Sequence, residues 1–476
     1  MFPHDADRCS KSDFFVWAGQ ERRGSGLPGF CMKIIDWFPD FLRQRLADRP
    51  TLSQSFDNSF WLFAEQGFRM GIGLFVGVWV TRYLGPEQFG LLSYATAIVA
   101  TVSAFTSVGL NAVVVRELVR TPSEADRWLG AAFLLKVFGS VLGFLICVVI
   151  AWVQPMAGPS TRLLVVLVAF GMFFQVLDVF DLFFQARGES RVSALVRIAT
   201  GVFGGLLRIT LLLMHASLRA FVIAGLAELA FAAVAWGRAG GKAGQRISRF
   251  SFDWHCGLIL LKENWPLAIS GLAIYSQAYA DQLVIGAMLG GGELGQYAAA
   301  MRLVSLFAFV PMVVQTVAAP EITRAKRDDE KLYLRRLHAL YRLMSVLFLL
   351  TALPLIFLGP LAVQLLYGAS YAGAASLLPW LTFRLFFTNF GVARSVYLTN
   401  EGLFRFGLIT SLVGAVANIA LNFWWIPLWG ARGAIGASLV SFAITTFALE
   451  IFNRQARFNL RLMLIAAFLP WRKFGD

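Results

Sequence analysis

The sequence carries too little charge for a water-soluble protein of its length. Only 15% of its 476 residues are Asp, Glu, Lys or Arg, whereas 58% are hydrophobic and the mean hydropathy is +0.66. A soluble domain has about 25% charged residues, so a water-soluble fold could not hide this much apolar surface. Lipid must therefore form part of the solvent.

Cysteine and histidine are equally scarce, with four of each. The cysteines are scattered without C-x-x-C spacing, so neither a disulfide framework nor a zinc site is indicated. The histidines are also dispersed and form no ligand cluster. The sequence has no Walker A loop, so we expect no ATP-driven step. We expect no metal, no cofactor and no catalytic residue.

The chain has a series of apolar runs separated by short polar breaks. Each run is near the ~20 residues that a helix needs to cross a bilayer, and only helices satisfy the backbone in lipid at that length. The sequence therefore predicts an all-α, polytopic membrane protein with about twelve transmembrane helices. The predicted spans are 60–81, 90–114, 130–153, 163–185, 195–214, 219–237, 265–289, 296–319, 338–359, 374–398, 404–428 and 433–455. A last apolar patch, Leu462–Leu469, is too short to cross and is expected at the membrane interface.

Residues 1–55 form a polar N-terminal extension without the apolar core of a signal peptide. Apolar residues between Ile34 and Leu46 recur at helical spacing among Lys and Arg, which is typical of a helix lying in the membrane interface. Alternatively, residues 1–31 extend from an upstream start codon and Met32 is the functional start. Both interpretations stay open.

The Lys and Arg residues predict the orientation, because cytoplasmic loops are enriched in them. If both termini are cytoplasmic, the inside segments after residue 60 hold 23 Lys and Arg and the outside breaks hold four. This asymmetry also explains the net charge of +14, since a basic inner face sits on anionic lipid. No nucleic-acid partner is needed.

The two halves of the chain resemble each other. Each has a Trp followed 24 or 25 residues later by a Gly-rich turn, and the glycines that bound each turn are five residues apart: Trp61 with Gly85 and Gly90, and Trp265 with Gly290 and Gly295. A second echo links Gly188, after the fourth span, with Gly402, after the tenth.

An offset of six helices predicts two pseudo-symmetric six-helix lobes, a known transporter plan with the substrate at the lobe interface. The predicted domains are the extension over 1–55, an N-lobe over 56–237, a basic cytoplasmic linker over 238–264, a C-lobe over 265–456 and a cytoplasmic tail over 457–476.

These residues also resemble a known family. The stretch Trp61–Arg120, with Arg82–Gly90 and Val115–Leu118, is similar to the polysaccharide-transport branch of the MOP exporter superfamily, which contains the Wzx-type O-antigen and exopolysaccharide flippases. Further residues agree with it: Asp281, Gly286, Tyr297, Tyr367, Tyr371, Asn418, Pro427 and Gly433. The resemblance covers about residues 55–456.

The resemblance implies a transporter of the bacterial inner membrane rather than an enzyme. The implied cargo is an undecaprenyl-pyrophosphate-linked oligosaccharide, moved across the lipid bilayer by alternating access. We expect a coupling ion, H⁺ or Na⁺, and other polysaccharide assembly proteins as partners.

Charged residues inside spans are costly and are functional candidates by default. Five are the candidate substrate-binding residues: Glu65, Arg69, Asp281, Arg302 and Arg384. Depth along the helices predicts three pairs, Asp281 with Arg302, Arg208 with Glu228 and Lys136 with Asp178, and leaves Arg384 without an acid. Glu65, one helical turn before Arg69, is the expected local partner of Arg69. The resemblance implies that helices one, two, seven and eight line the cavity, which places Arg69, Asp281 and Arg302 there.

Guanidinium groups suit a pyrophosphate, because they contact it in a bidentate manner and never lose their proton. The alternative functions are a MATE-like cation or drug exporter, for which an acidic cavity is expected, and a lipid II flippase, which generally has two more helices. A glycosyltransferase or polymerase would need a large outside loop or a cytoplasmic catalytic domain.

Overall fold

A computed structural model describes residues 50–107, 110–153 and 158–468. The chain divides into two compact units, Met1–Phe60 and Trp61–Asp476, so the predicted lobes lie in the second unit except for residues 56–60. The predicted interfacial helix over 34–46 and Met32 lie outside the described residues.

The described residues form seventeen α-helices and no β-strand. The helices up to α7 are called the N-lobe: α1 Pro50–Ser107, α2 Leu110–Arg120, α3 Ala125–Val153, α4 Pro159–Phe174, α5 Val179–Ala186, α6 Ser190–Leu213 and α7 Leu218–Lys242. Those from α8 onward are called the C-lobe: α8 Trp254–Met288, α9 Gly290–Phe307, α10 Phe309–Asp328, α11 Glu330–Phe357, α12 Gly359–Tyr367, α13 Ala372–Thr382, α14 Arg384–Asn400, α15 Phe404–Trp429, α16 Ala431–Thr446 and α17 Arg454–Phe468.

Most of the described residues in each of the twelve predicted spans are helical, and the all-α fold is confirmed. Eight segments of the described chain are both long and apolar enough to cross a membrane by composition. The first two, the seventh and the tenth predicted spans are not among them. The first two and the seventh lie in α1 and α8, which line the cavity described below, and the tenth is divided between α13 and α14.

Two helix boundaries differ from the sequence prediction. The α8 helix begins at Trp254, eleven residues before the predicted span, so part of the predicted linker is helical. The patch around Leu462 lies on α17, where Leu462, Met463 and Ala466 are buried against α11 and its neighbours. One face of this patch packs on protein, while Leu464, Ile465 and Phe468 are exposed, and its position at the membrane interface stays a prediction.

The internal repeat has a counterpart in the backbone. Gly85 (φ 70°) kinks α1 between the first two spans, and Gly290 (φ 86°) separates α8 from α9 at the matching place in the C-lobe. The second pair matches as well, because Gly188 and Gly402 have φ values of 68° and 67°. Glycine is required where the chain adopts this left-handed conformation.

The two lobes touch each other through the repeated turns. A Cβ atom on Gly90 would lie 1.8 Å from the carbonyl oxygen of Gly291, and one on Gly295 would lie 1.9 Å from that of Pro86. Only hydrogen fits at these positions, so the backbones of α1 and α9 meet directly. Tyr371 adds to this contact by donating a hydrogen bond to the carbonyl of Thr81 at 2.7 Å.

The largest apolar cluster joins the two lobes at this contact. It includes Phe89 and Tyr94 of α1, Tyr297 of α9 and the adjoining rings of Tyr367 and Tyr371, whose centroids are 5.3 Å apart. Of the two smaller clusters, one surrounds α11 and α14 within the C-lobe, and the other surrounds α3 and α5 and includes Cys256 and Leu260 at the start of α8. The lobes therefore meet at the repeated turns and also where the start of α8 packs on the N-lobe.

Candidate functional site

A cavity of about 930 Å³ lies where helices of both lobes face each other. Its wall is formed by α1 on both sides of the Gly85 kink, by α6, α8 and α9, and by the first residue of α14. Spans one, two, seven and eight therefore line it, as the resemblance implies, and spans five and ten contribute as well. Ligand-binding pockets are typically of about 300–1,000 Å³.

The charged residues that line the cavity are all cations. Among its described lining residues, three are arginines and none is an acid: Arg208, Arg302 and Arg384. Two of them form ion pairs with acids that do not themselves line the cavity. Arg208 pairs with Glu228 at 2.5 Å, as depth along the helices indicates, and Arg384 pairs with Asp281 at 3.1 Å.

Arg302 has no carboxylate within 4.0 Å among the residues that the structure describes. Its guanidinium instead reaches from α9 across to α1, where Nη2 donates to the carbonyl of Gly73 at 2.9 Å and Nη1 lies 3.4 Å from the Thr81 hydroxyl. Both partners are neutral, so the positive charge at this point of the wall is uncompensated.

Gly77 makes room for this guanidinium. A Cβ atom at position 77 would lie 1.7 Å from Nη2 of Arg302. The sequence suggests that Gly73 and Gly77 form a helix-packing face. In the structure, the space beside Gly77 is filled by the guanidinium of Arg302 from the other lobe.

Asp281 is fully buried behind the cavity and accepts hydrogen bonds from five side chains. The donors lie on α9, α14, α15 and α16: Tyr297 at 2.7 Å, Arg384 at 3.1 Å, Asn422 at 2.9 Å, Asn418 at 3.3 Å and Ser438. A buried carboxylate is costly unless it is paired and hydrogen-bonded, and these donors satisfy both requirements. Asp281 thus ties four C-lobe helices to α8 and holds Arg384 at the cavity wall.

The predicted pair between Asp281 and Arg302 is wrong, and so is the prediction that Arg384 has no acid. Depth along a helix estimates which charges share a level in the membrane, but it does not fix the direction in which each side chain points. Asp281 points into the C-lobe, where it meets Arg384, whereas Arg302 points toward the N-lobe.

Arg69 and Glu65 pair with each other at 3.2 Å, as their i,i+4 spacing predicts. Neither residue lines the cavity. The Arg69 side chain is 53% exposed, while Glu65 is buried and also lies 3.9 Å from Arg197. The structure therefore separates this pair from the other three candidate residues.

Comparison with known proteins gives the family. The family model described as polysaccharide biosynthesis protein matches residues 55–326, more than half of the chain. The chain belongs to the polysaccharide biosynthesis protein family. The match includes α1, α8 and α9, and therefore the Arg302 contact. No functionally curated protein matches the sequence.

Several solved structures share the fold of this polysaccharide biosynthesis family protein. An inward-facing multidrug resistance transporter of the MATE family, in the MOP superfamily, is 15% identical with a TM-score of 0.68, over 83% of this chain and 95% of that one. The lipid II flippase MurJ in an inward closed conformation is 16% identical with a TM-score of 0.68, over 86% and 91%. A MOP superfamily transporter from Pyrococcus furiosus is 14% identical with a TM-score of 0.57, over 86% and 96%. The fold is that of MOP transporters, and the chain is a membrane protein.

The sequence reasoning missed several residues of the cavity in this family member. Tyr275, Tyr279 and Gln282 line it from α8, and Arg208 lines it although it is paired. Their positions at i, i+4 and i+7 put the three α8 residues on one helix face, which is a readable signal. The rings of Tyr275 and Tyr279 stack at 6.2 Å and give the wall an aromatic surface beside Arg302.

Proposed function

We propose that this protein is a flippase that moves a polyprenyl-pyrophosphate-linked oligosaccharide across the bacterial cytoplasmic membrane by alternating access. The observation that carries the proposal is Arg302, an arginine on the cavity wall whose partners are a carbonyl and a hydroxyl. The family supports a role in polysaccharide assembly, and the fold is one used for transport.

A diphosphate fits the charge of the cavity. Guanidinium binds phosphate oxygens in a bidentate manner and remains protonated at every physiological pH. Arg208 and Arg384 add positive groups on the same wall, each with its own acid behind it. A cation exporter would need carboxylates at such a wall, so the lining disfavours that alternative.

The lobe contact supports alternating access. The lobes meet through backbone at the repeated glycine turns, and the cavity begins beside this contact at Phe89 and Val80. Opening this contact while the lobes approach elsewhere would expose the cavity on the other side of the membrane. We propose a gradient of H⁺ or Na⁺ as the driving force, both termini in the cytoplasm, and other polysaccharide assembly proteins as partners.

The test is a flipping assay in proteoliposomes with a fluorescent polyprenyl-pyrophosphate-linked oligosaccharide, read as loss of fluorescence accessible to an external quencher. We expect Arg302→Ala to lower the flipping rate by about tenfold or more, since a hydrogen bond to a charged group contributes ~1.5–3 kcal/mol and 1.4 kcal/mol is tenfold. Arg302→Lys should retain part of the rate, because it keeps the charge but loses the bidentate contact.

Arg69→Ala is the matched control. This arginine also lies on a cavity-lining helix, but it is paired with Glu65 and does not line the cavity. In the variant, Glu65 still has Arg197 at 3.9 Å as a partner. The flipping rate of Arg69→Ala should stay close to that of the unmodified protein. An Arg302→Ala protein that flips the probe at the normal rate would remove the proposed role. Lipid II as a second probe tests the lipid II alternative, and imposing each ion gradient separately identifies the coupling ion.

A further inference from the structure

A second cavity, of about 630 Å³, adjoins the arginine cavity. The two share Thr96 of α1 and Tyr275 of α8 in their walls. Along α1 the arginine cavity contacts residues up to Thr96, and the second cavity continues from Thr96 to Ala104. The remaining wall of the second cavity comes from the N-lobe helices, so it opens from the arginine cavity into the N-lobe.

The second cavity differs from the first in its chemistry. Its charged lining residues, among those described, are Lys136 and Asp178, which form an ion pair with each other and therefore add no net charge. Depth along the helices predicts this pair. Two side-chain amides also line the wall, Asn111 of α2 and Gln175 next to Asp178. The cavity is thus neutral and rich in hydrogen-bonding groups.

The ion pair is turned so that its acid faces the cavity. The Lys136 side chain is 5% exposed, whereas that of Asp178 is 43% exposed. Lys136 holds Oδ1 of Asp178, which leaves Oδ2 as an acceptor for a ligand. Gln175 and Asn111 are both exposed, and each amide offers a donor and an acceptor.

Tyr275 is an aromatic residue at the boundary between the two cavities. Its ring is 41% exposed and lies in both walls. A flat ring beside amides and a carboxylate suits a sugar, whose apolar face packs on an aromatic ring while its hydroxyls pair with amide and carboxylate oxygens. An anion would be repelled by the exposed Asp178 oxygen, and a second diphosphate is therefore disfavoured here.

We infer that the second cavity is a saccharide subsite. It holds the sugar residues next to the diphosphate, while the arginine cavity holds the diphosphate itself, and Tyr275 lies at the junction between them. This inference rests on the proposed function. It assigns Asn111, Gln175 and Asp178 to recognition of sugar hydroxyls.

The test compares two probes by their affinity for the purified full chain in detergent. One is a polyprenyl pyrophosphate that carries an oligosaccharide, and the other is the same polyprenyl pyrophosphate without sugar. We expect Asn111→Ala with Gln175→Ala to weaken binding of the glycosylated probe by about tenfold, because two hydrogen bonds of ~0.5–1.5 kcal/mol each are lost. Binding of the sugar-free probe should not change.

Two further variants separate the subsite from the diphosphate site. Arg302→Ala should weaken both probes. Gln185→Ala removes an amide that is bonded to Asp181 at 2.8 Å and lies off both cavities, so it should weaken neither. Both substituted amides are exposed, and a thermal unfolding curve like that of the unmodified protein establishes that the double variant is folded.

The outcomes are distinguishable. If the double variant binds both probes as tightly as the unmodified protein while Arg302→Ala weakens both, the saccharide subsite is wrong and the proposed function stands. If the double variant weakens both probes equally, the second cavity does not select sugar and the inference is overturned. If the unmodified protein binds neither probe, the proposed function fails together with the inference.

Discussion

At the residue scale, the charged residues of the cavity differ in whether an acid within the protein neutralises them. Arg302 and Arg384 look alike in the sequence, since each is a lone arginine in an apolar run. The structure gives Arg384 a buried acid and gives Arg302 a backbone carbonyl. The first arrangement stabilises the C-lobe, and the second leaves a charge for a ligand.

Breaking the buried pair is expected to destabilise the protein. Asp281→Ala leaves Arg384 buried without a counter-charge, and the loss of one partner of a buried pair costs about 3–5 kcal/mol. The free energy of unfolding in detergent micelles measures this. The double variant Asp281→Ala with Arg384→Met should recover part of the loss, because no uncompensated charge remains.

Glu124→Ala is the comparison for that experiment. Its pair with Arg127 is 3.4 Å long and both side chains are about half exposed, so the loss should be at most ~1 kcal/mol. Equal losses for Asp281→Ala and Glu124→Ala would contradict the central structural role of Asp281.

The residue scale also shows where sequence reasoning ends. The Glu65–Arg69 pair was predictable, because i,i+4 spacing on one helix fixes both depth and direction. The partners of Asp281 were not, since they lie on four other helices and depend on how those helices rotate about their axes. Tyr275, Tyr279 and Gln282 could have been found by their shared helix face.

At the element scale, the glycine turns control how closely the lobes approach. Gly90→Ala places a methyl group 1.8 Å from the Gly291 oxygen, and backbone cannot move aside cheaply. We expect this variant to lose most of its flipping rate and to unfold at a lower temperature in detergent, because the lobes cannot close at this end.

Gly71→Ala serves as the control on the same helix. A Cβ atom there meets nothing within 4 Å, and alanine in place of a helical glycine stabilises by roughly 0.5–1 kcal/mol. Its unfolding temperature should be unchanged or higher. A Gly90→Ala protein that behaves like Gly71→Ala would show that the direct backbone contact is not needed.

The existence and order of the helices were predictable because length and apolarity are properties of the sequence itself. The residues at which the helices begin and end were less predictable. Residues 254–264, which precede the predicted span, are also helical, and Cys256 and Leu260 among them are buried against apolar residues of α2 and α3, a tertiary contact that the sequence prediction did not include. For the same reason the packing of α17 on the C-lobe was not visible.

At the scale of the whole molecule, the distribution of basic residues predicts the topology. The 23 Lys and Arg on one side against four on the other predict that both termini lie in the cytoplasm. Alkaline phosphatase fused after Asp476 should be inactive, since the enzyme works only outside the cytoplasm, whereas a fusion after Ala216, between α6 and α7, should be active. The opposite pattern would invert the orientation.

The contact between Arg302 and Gly73 has a consequence for the protein when it carries no cargo. The guanidinium that would bind a phosphate donates a hydrogen bond to a carbonyl oxygen of the opposite lobe. The atoms proposed to bind cargo therefore also join the two lobes. Under the proposed function, a bound phosphate would replace that oxygen, so that binding of cargo and release of this contact between the lobes would occur in one step. Under the proposed ion coupling, the empty protein is therefore expected not to dissipate the gradient.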